Sequence, residues 1–169
     1  MLKSNKKSRK LRVYLAAPFR RHTNEIEGRE YGEINNKELI EFFERIEKLI
    51  REEGFETCLP HRDKGRWGKV YIQPKDVAKM CFDSILECDI MVVLAERSRG
   101  VHMEIGYAAH AKKTLIIFLK EGEAKSGFYD GLNKETKTIL VRYKDDDLLQ
   151  KMRKALREVK REFSFGVSN

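Results

Sequence analysis

The residue best placed to do chemistry is Glu104, which follows an apolar segment and a polar turn. Residues 90–95 have the composition of a strand buried on both faces, Gly100 lies in the turn, and a helical pattern covers 101–112. Open α/β sheets bind ligands where strands end and helices begin. We expect Glu104 in the first helical turn, where the helix dipole, equivalent to about +0.5 charge, keeps a carboxylate ionised. Such a carboxylate is a candidate nucleophile, and simple helix capping is the alternative.

The composition is that of a charged, globular protein in which we expect neither a metal nor a cofactor. The chain has 169 residues, of which 41% are hydrophobic and 37% charged. No apolar run approaches the roughly 20 residues of a membrane span, and no signal peptide is visible, so we expect a cytoplasmic protein without membrane partners. The three cysteines form no CxxC pair, and the four histidines have no metal-ligand spacing.

The net charge of +8 is concentrated in part near the N-terminus, where residues 3–12 hold six basic residues. A nucleic-acid-binding arm and a solvated tail are both compatible with this run, and the absence of interleaved aromatic residues favours the tail. We therefore expect a flexible tail over 1–10, one domain over 11–163 and a short tail over 164–169. A basic protein is also suited to an anionic small substrate.

Apolar runs alternate with helical patterns along the whole chain. Strands are predicted at 11–17, 55–59, 90–95, 115–119 and 138–143, and helices at 34–53, 74–87, 101–112 and 145–163. This alternation predicts a single doubly wound α/β domain of the Rossmann or flavodoxin-like type, with a five-stranded parallel sheet in the order 2-1-3-4-5. No GxGxxG or GxxxxGK[ST] motif is present, which disfavours dinucleotide and P-loop binding.

Several motifs resemble one family. They are VYLAAPFR at 13–20, His61 after the second strand, Asp89 at the third strand, SRGVHMEIGYA at 98–108 and Ser126. The chain resembles the nucleoside 2-deoxyribosyltransferase superfamily and, within it, the 2'-deoxynucleoside 5'-phosphate N-hydrolase branch. The motif around Glu104 is the most specific of these features.

The resemblance implies roles for individual residues. Glu104 would attack the anomeric carbon of the sugar. Tyr14 could orient Glu104 by a hydrogen bond, and a half-buried strand tyrosine without a function is the alternative. Residues of the 13–20 motif, among them Ala17, Phe19 and Arg20, would surround the nucleotide. Ser126 would reach the phosphate bound by a neighbouring subunit, so we expect a homodimer or larger assembly.

Further contacts follow from residue chemistry. Backbone N–H groups at Gly100, the Ser98 hydroxyl and the guanidinium of Arg20 or Arg99 can hold a phosphate. His61 can contact the base or donate a proton, although a turn histidine without a function is equally compatible. Trp67 can stack on a base or anchor its loop.

The sequence departs from the family pattern at Cys81, where an aspartate that assists acid–base chemistry or sugar binding is common. Asp83 and Asp76 are the nearest carboxylates, and Asp83 is our candidate for the missing role, although two helical positions rotate a side chain by about 200°. The turn before Glu104 also lacks the aspartate that is common in the transferases.

These observations favour an enzyme that hydrolyses the base–sugar bond of a (deoxy)nucleoside 5'-monophosphate. A carboxylate such as Glu104 would stabilise the oxocarbenium character that develops on the sugar, or bond to it, before water releases the sugar. The alternatives are a deoxyribosyltransferase that exchanges bases and a non-catalytic nucleotide-binding module. A phosphate-binding Ser98 favours nucleotides over nucleosides.

Overall fold

The computed structural model describes residues 9–19, 33–95 and 98–165, which form a parallel sheet covered by helices on both faces. Strands are β1 (Arg12–Ala16), β2 (Glu56–Cys58), β3 (Ile90–Leu94), β4 (Thr114–Lys120) and β5 (Thr138–Tyr143). Helices are α1 (Lys37–Glu52), α2 (Pro60–Asp63), α3 (Pro74–Leu86), α4 (Arg99–His110), α5 (Phe128–Gly131) and α6 (Leu148–Phe165). The order β2-β1-β3-β4-β5, parallel throughout, confirms the predicted fold.

The two faces of the sheet have separate hydrophobic cores because side chains alternate along each strand. Val13 and Leu15 pack under α1 and α6, whereas Tyr14 and Ala16 pack on the other face with residues of α4. Tyr14 is aligned with Cys58 of β2 and Met91 of β3. The alternation therefore places the β1 tyrosine on the face that carries Glu104.

The cap of α1 and the cluster at its end fix this helix in the structure. The Asn36 side chain accepts a hydrogen bond from the Leu39 N–H at 3.1 Å, as expected for an N-cap. Gly54 follows the helix with φ of +89°, a conformation that favours glycine. Next to it, Glu53 pairs with Arg153 and Arg157 of α6, so α1 and α6 are joined at this end.

Two differences from the predicted elements bear on the site. Helix α4 begins at Arg99 because Ser98 caps it, so Glu104 lies in the second turn and not in the first. Two segments predicted as loops contain the short helices α2 and α5. No helix in the described part of the chain is long and apolar enough to cross a membrane.

Asp89 lies at the start of β3 and binds the segment before β1. Its carboxylate accepts hydrogen bonds from both terminal nitrogens of Arg9, at 2.5 and 2.8 Å, and from the Arg12 N–H at 2.9 Å. Burial alone would raise the pKa of Asp89, but the hydrogen bonds from Arg9 and Arg12 and the charge of Arg9 lower it overall. Asp89 therefore lies at the amino end of the sheet, opposite the edge that follows the strands, and its contacts are structural.

Replacing Asp89 by alanine is expected to lower the free energy of unfolding by about 1–2 kcal/mol, because three hydrogen bonds are lost. Asp83→Ala is the matched control, since Asp83 is exposed and, within the described part of the chain, its ion pair is with Lys79 on its own helix. An exposed pair of this kind contributes about 0–1 kcal/mol. Urea unfolding of both variants measures the difference, and equal losses would contradict a structural role for Asp89.

Candidate active site

Three side chains from different elements meet on one face of the sheet: Tyr14 of β1, Cys81 of α3 and Glu104 of α4. Tyr14 and Cys81 are 2% and 3% exposed, and Glu104 is partly buried. The Tyr14 hydroxyl and the Cys81 thiol are both hydrogen-bonding partners of the Glu104 carboxylate. The sequence predicted that Tyr14 orients Glu104, and the structure brings these two residues together.

Burial dominates the electrostatics of Glu104. It raises the pKa of Glu104 to about 7, and the hydrogen bonds from Cys81 and Tyr14 oppose this rise. The expectation that a helix N-terminus keeps Glu104 ionised is wrong for this reason and because the residue lies beyond the first turn, where the dipole effect fades. Near neutral pH Glu104 is therefore poised between its acid and carboxylate forms, a property typical of catalytic groups.

The two partners of Glu104 remain protonated. Burial, followed by the charge of Glu104, raises the pKa of Tyr14 well above its usual value. The same two causes, in the same order, raise the pKa of Cys81 to about 12. Both groups are therefore neutral hydrogen-bond donors at physiological pH, and the glutamate is the member of this trio that titrates near neutrality.

The N-terminus of α4 lies one helical turn from Glu104. The Ser98 hydroxyl accepts a hydrogen bond from the Val101 N–H at 3.4 Å, and a Cβ added at Gly100 would meet only this hydroxyl, at 3.9 Å. The helix terminus therefore has space beside Gly100, and the binding of a phosphate there stays a prediction. His102 is hydrogen-bonded to the Ser98 carbonyl at 2.7 Å and to the Tyr129 hydroxyl at 3.1 Å, which joins α4 to α5.

His61 begins a second group of side chains, beyond the end of β2. Its ring stacks on Phe19 with a centroid distance of 4.1 Å, and Phe19 also contacts Trp67 at 6.2 Å. Burial lowers the pKa of His61 to about 4, so its imidazole is neutral near pH 7. A neutral imidazole is poorly suited to proton donation, and contact of His61 with a base stays a prediction. Trp67, which is partly buried and packed on Phe19, anchors its loop.

The other residues that the sequence predicted for the site are not part of the Tyr14–Cys81–Glu104 cluster. Asp83 is exposed and paired with Lys79 at 2.6 Å, so the structure does not bring it to Glu104. Ala17 is buried just after β1, and Arg20 lies outside the described residues. The Ser126 hydroxyl accepts a hydrogen bond from the Phe128 N–H at 3.3 Å, and its contact with a neighbouring subunit stays a prediction.

Comparisons with known proteins add a second line of observation. Neither a scan against protein-family models nor a search of curated proteins gave a match. Among solved structures, the CMP N-glycosidase BcmB of Clostridium botulinum is similar at 25% identity with a TM-score of 0.60, over 83% of this chain and 96% of that one. BlsM is similar at 25% identity with a TM-score of 0.66, over 87% and 90% of the two chains.

A 2-deoxyribosyltransferase from Bacillus psychrosaccharolyticus is 17% identical with a TM-score of 0.52, over 79% of this chain and 86% of that one, and at this identity it shows the fold alone. The three structures are all of one superfamily. This chain is similar in structure to members of the nucleoside 2-deoxyribosyltransferase-like superfamily. Its neighbours include enzymes that act on glycosidic bonds, and the resemblance found in the sequence is confirmed at this level.

Two features of the candidate active site and its surroundings were not assigned a role from the sequence. Cys81 was noted only as a departure from the family pattern, yet it contacts Glu104. The His102–Tyr129 pair was missed because Tyr129 lies outside the motifs that the sequence analysis identified. No group of three or more His, Cys, Asp or Glu residues within the described ranges could hold a metal ion.

Proposed function

We propose that this protein hydrolyses the N-glycosidic bond of a nucleoside 5'-monophosphate, with Glu104 as the nucleophile. The observation that carries the proposal is the Tyr14–Cys81–Glu104 cluster, in which a partly buried carboxylate is held by two neutral donors. The site lies beside the helix that follows β3, where ligands of open α/β sheets bind. The similarity to a CMP N-glycosidase supports the same class of reaction.

The reaction would proceed in two steps. The Glu104 carboxylate forms a bond to the anomeric carbon while the bond from that carbon to the base nitrogen breaks, and the base leaves with the electron pair and takes a proton. Water then attacks the same carbon, gives up a proton, and releases the sugar phosphate and the free carboxylate. Tyr14 and Cys81 donate to the carboxylate before attack and after release, when it carries its charge.

The phosphate would bind at the N-terminus of α4. From Gly100 to Glu104 the helix rises about 6 Å, which is comparable to the span of a sugar phosphate from its phosphorus to its anomeric carbon. Helical side chains tilt toward the N-terminus of their helix, so Glu104 extends toward the bound end of the substrate. One helix would thus supply both the phosphate contacts and the nucleophile.

Incubation with ribo- and deoxyribonucleotides and the corresponding nucleosides, followed by chromatography, tests the proposal. Release of free base and sugar phosphate is the expected result. A second incubation with another free base separates hydrolysis from transfer, because a transferase would form a new nucleoside. Binding without release of base from any substrate would leave a nucleotide-binding module as the better interpretation.

Nucleotides are expected to bind at least about tenfold more tightly than their nucleosides, since a charge-assisted contact contributes about 1.5–3 kcal/mol. Two substitutions at Ser98 isolate this contact, because Asn and Asp both cap helices well. Ser98→Asp adds a negative charge beside the phosphate and is expected to abolish the preference, whereas Ser98→Asn keeps most of it. Calorimetry on both variants measures this, and equal preferences would exclude a phosphate at this terminus.

A further inference from the structure

Cys81 has a position that its sequence neighbours in α3 do not share. It lies on the inner face of the helix, is 3% exposed, and interacts with both Tyr14 and Glu104. The next residue, Phe82, stacks on Tyr107 of α4 with a centroid distance of 4.1 Å, which brings this part of α3 against the turn of α4 that carries Glu104. Asp83, two residues further along the helix, is exposed to solvent. Cys81 is thus the residue of α3 that the structure brings into the candidate active site.

Thiol chemistry is not the role of this cysteine. Cysteine reacts as a thiolate, and the raised pKa of about 12 leaves almost no thiolate at neutral pH. As a neutral S–H group it donates a hydrogen bond to the carboxylate of Glu104. An aspartate at this position would place two carboxylates in contact, and one of them would then hold its proton more tightly.

We propose that Cys81 is a positioning residue whose thiol donates a hydrogen bond to Glu104 and holds the carboxylate for attack without adding a second negative charge. This inference rests on the proposed function, which assigns the attack to Glu104. Tyr14 approaches the same carboxylate from β1 and Cys81 approaches it from α3. The two donors together fix the carboxylate between the sheet and the helix layer.

The test compares three variants in one measurement that does not depend on turnover. Carbon-13 labelling of glutamate side chains and NMR titration give the midpoint, the pH at which Glu104 is half ionised. The Glu104 signal is assigned by its loss in Glu104→Gln. Cys81→Ala removes the donor and is expected to raise the midpoint by about one pH unit. Cys81→Ser replaces the thiol by another donor and is expected to keep the midpoint within about half a unit of the parent, or below it.

Cys88→Ala is the matched control for the loss of a buried thiol. Cys88 is 2% exposed, directly precedes Asp89 at the amino end of the sheet, and has Cys58 as its hydrogen-bonding partner. Its replacement is expected to cost stability and to leave the midpoint unchanged. Melting temperatures of all three variants separate this general cost from the specific effect on Glu104.

Turnover supplies the second readout. In Cys81→Ala, kcat/KM is expected to fall about tenfold on the acid side of the pH profile and much less above pH 8, with recovery in Cys81→Ser. An unchanged midpoint in Cys81→Ala, or equal shifts in the alanine and serine variants, would overturn the proposal. If the parent releases no base, the proposed function fails, and the titration still decides whether Cys81 holds Glu104.

Discussion

Glu104→Gln is expected to abolish release of base, with a loss of at least about 10³-fold in kcat, because removal of a nucleophile removes the covalent route. Glutamine keeps the size of the side chain and can still accept the hydrogen bonds from Tyr14 and Cys81. Nucleotide affinity should therefore change little. Parallel measurement of base release by chromatography and of nucleotide affinity by calorimetry on one preparation separates the loss of chemistry from a loss of binding.

Glu52→Gln is the matched control for this variant. Glu52 is an exposed residue of α1 that pairs with Arg153, on the face of the sheet opposite Glu104. Its turnover should equal that of the parent. Turnover of Glu104→Gln at the level of the parent would contradict the mechanism, and a loss of nucleotide binding together with turnover would indicate a misfolded site.

Activity is expected to fall about tenfold for each pH unit below 7, and so about 100-fold at pH 5, because only the ionised form of Glu104 attacks. This follows from the pKa of about 7 that burial gives to Glu104. A profile of kcat/KM from pH 4.5 to 9 measures the acid limb. A limb centred near 4.5, the usual value for glutamate, would show that the carboxylate is solvated in the free enzyme.

The assignment of this limb can be checked at His61, whose pKa is shifted downward. Its pKa of about 4 places its titration well below the limb expected for Glu104. His61→Gln should therefore leave the midpoint of the limb in place, whatever it does to substrate affinity. A limb that disappears in His61→Gln would transfer the assignment from Glu104 to His61.

The raised pKa of Glu104 also determines how the stability of the fold changes with pH. The folded chain binds the Glu104 proton more tightly than the unfolded chain does, so this group stabilises the fold fully at low pH, and its contribution is lost as pH rises from about 4.5 to about 7. Glutamine does not ionise, so its contribution to stability does not change over this pH range. The melting temperature of Glu104→Gln relative to the parent should therefore be higher at pH 8 than at pH 5, a trade between stability and activity that is common at functional sites.

Most of the sheet could be predicted from the sequence because its strands are buried on both faces. The strand predicted at 138–143 agrees with β5, and the run at 90–95 contains β3. The predicted order of the strands came from the doubly wound pattern that alternating strands and helices indicate. Helix ends were less certain, because the cap at Ser98 starts α4 earlier than the apolar pattern does, and this shift moved Glu104 into the second turn.

The contacts of the site were harder to predict because they depend on how helices pack against one another. The contact of Cys81 with Glu104, for example, depends on the packing of α3 against α4. Trp67 is a further case, since its backbone has φ of +59° and its carbonyl accepts a hydrogen bond from the distant Ile34 N–H. No local pattern in the sequence indicates either arrangement.

The alternation of side chains along β1 means that one strand serves both the active site and the hydrophobic core. Val13 and Leu15 fill one core, while Tyr14, between them, faces Glu104. An insertion or deletion of one residue within β1 would exchange the two faces, bury the tyrosine among aliphatic side chains and place an aliphatic residue beside the carboxylate. A lineage could therefore lose this tyrosine by substitution, but it could not shift the strand and keep a folded protein. Such changes of length should be confined to the loops around the site.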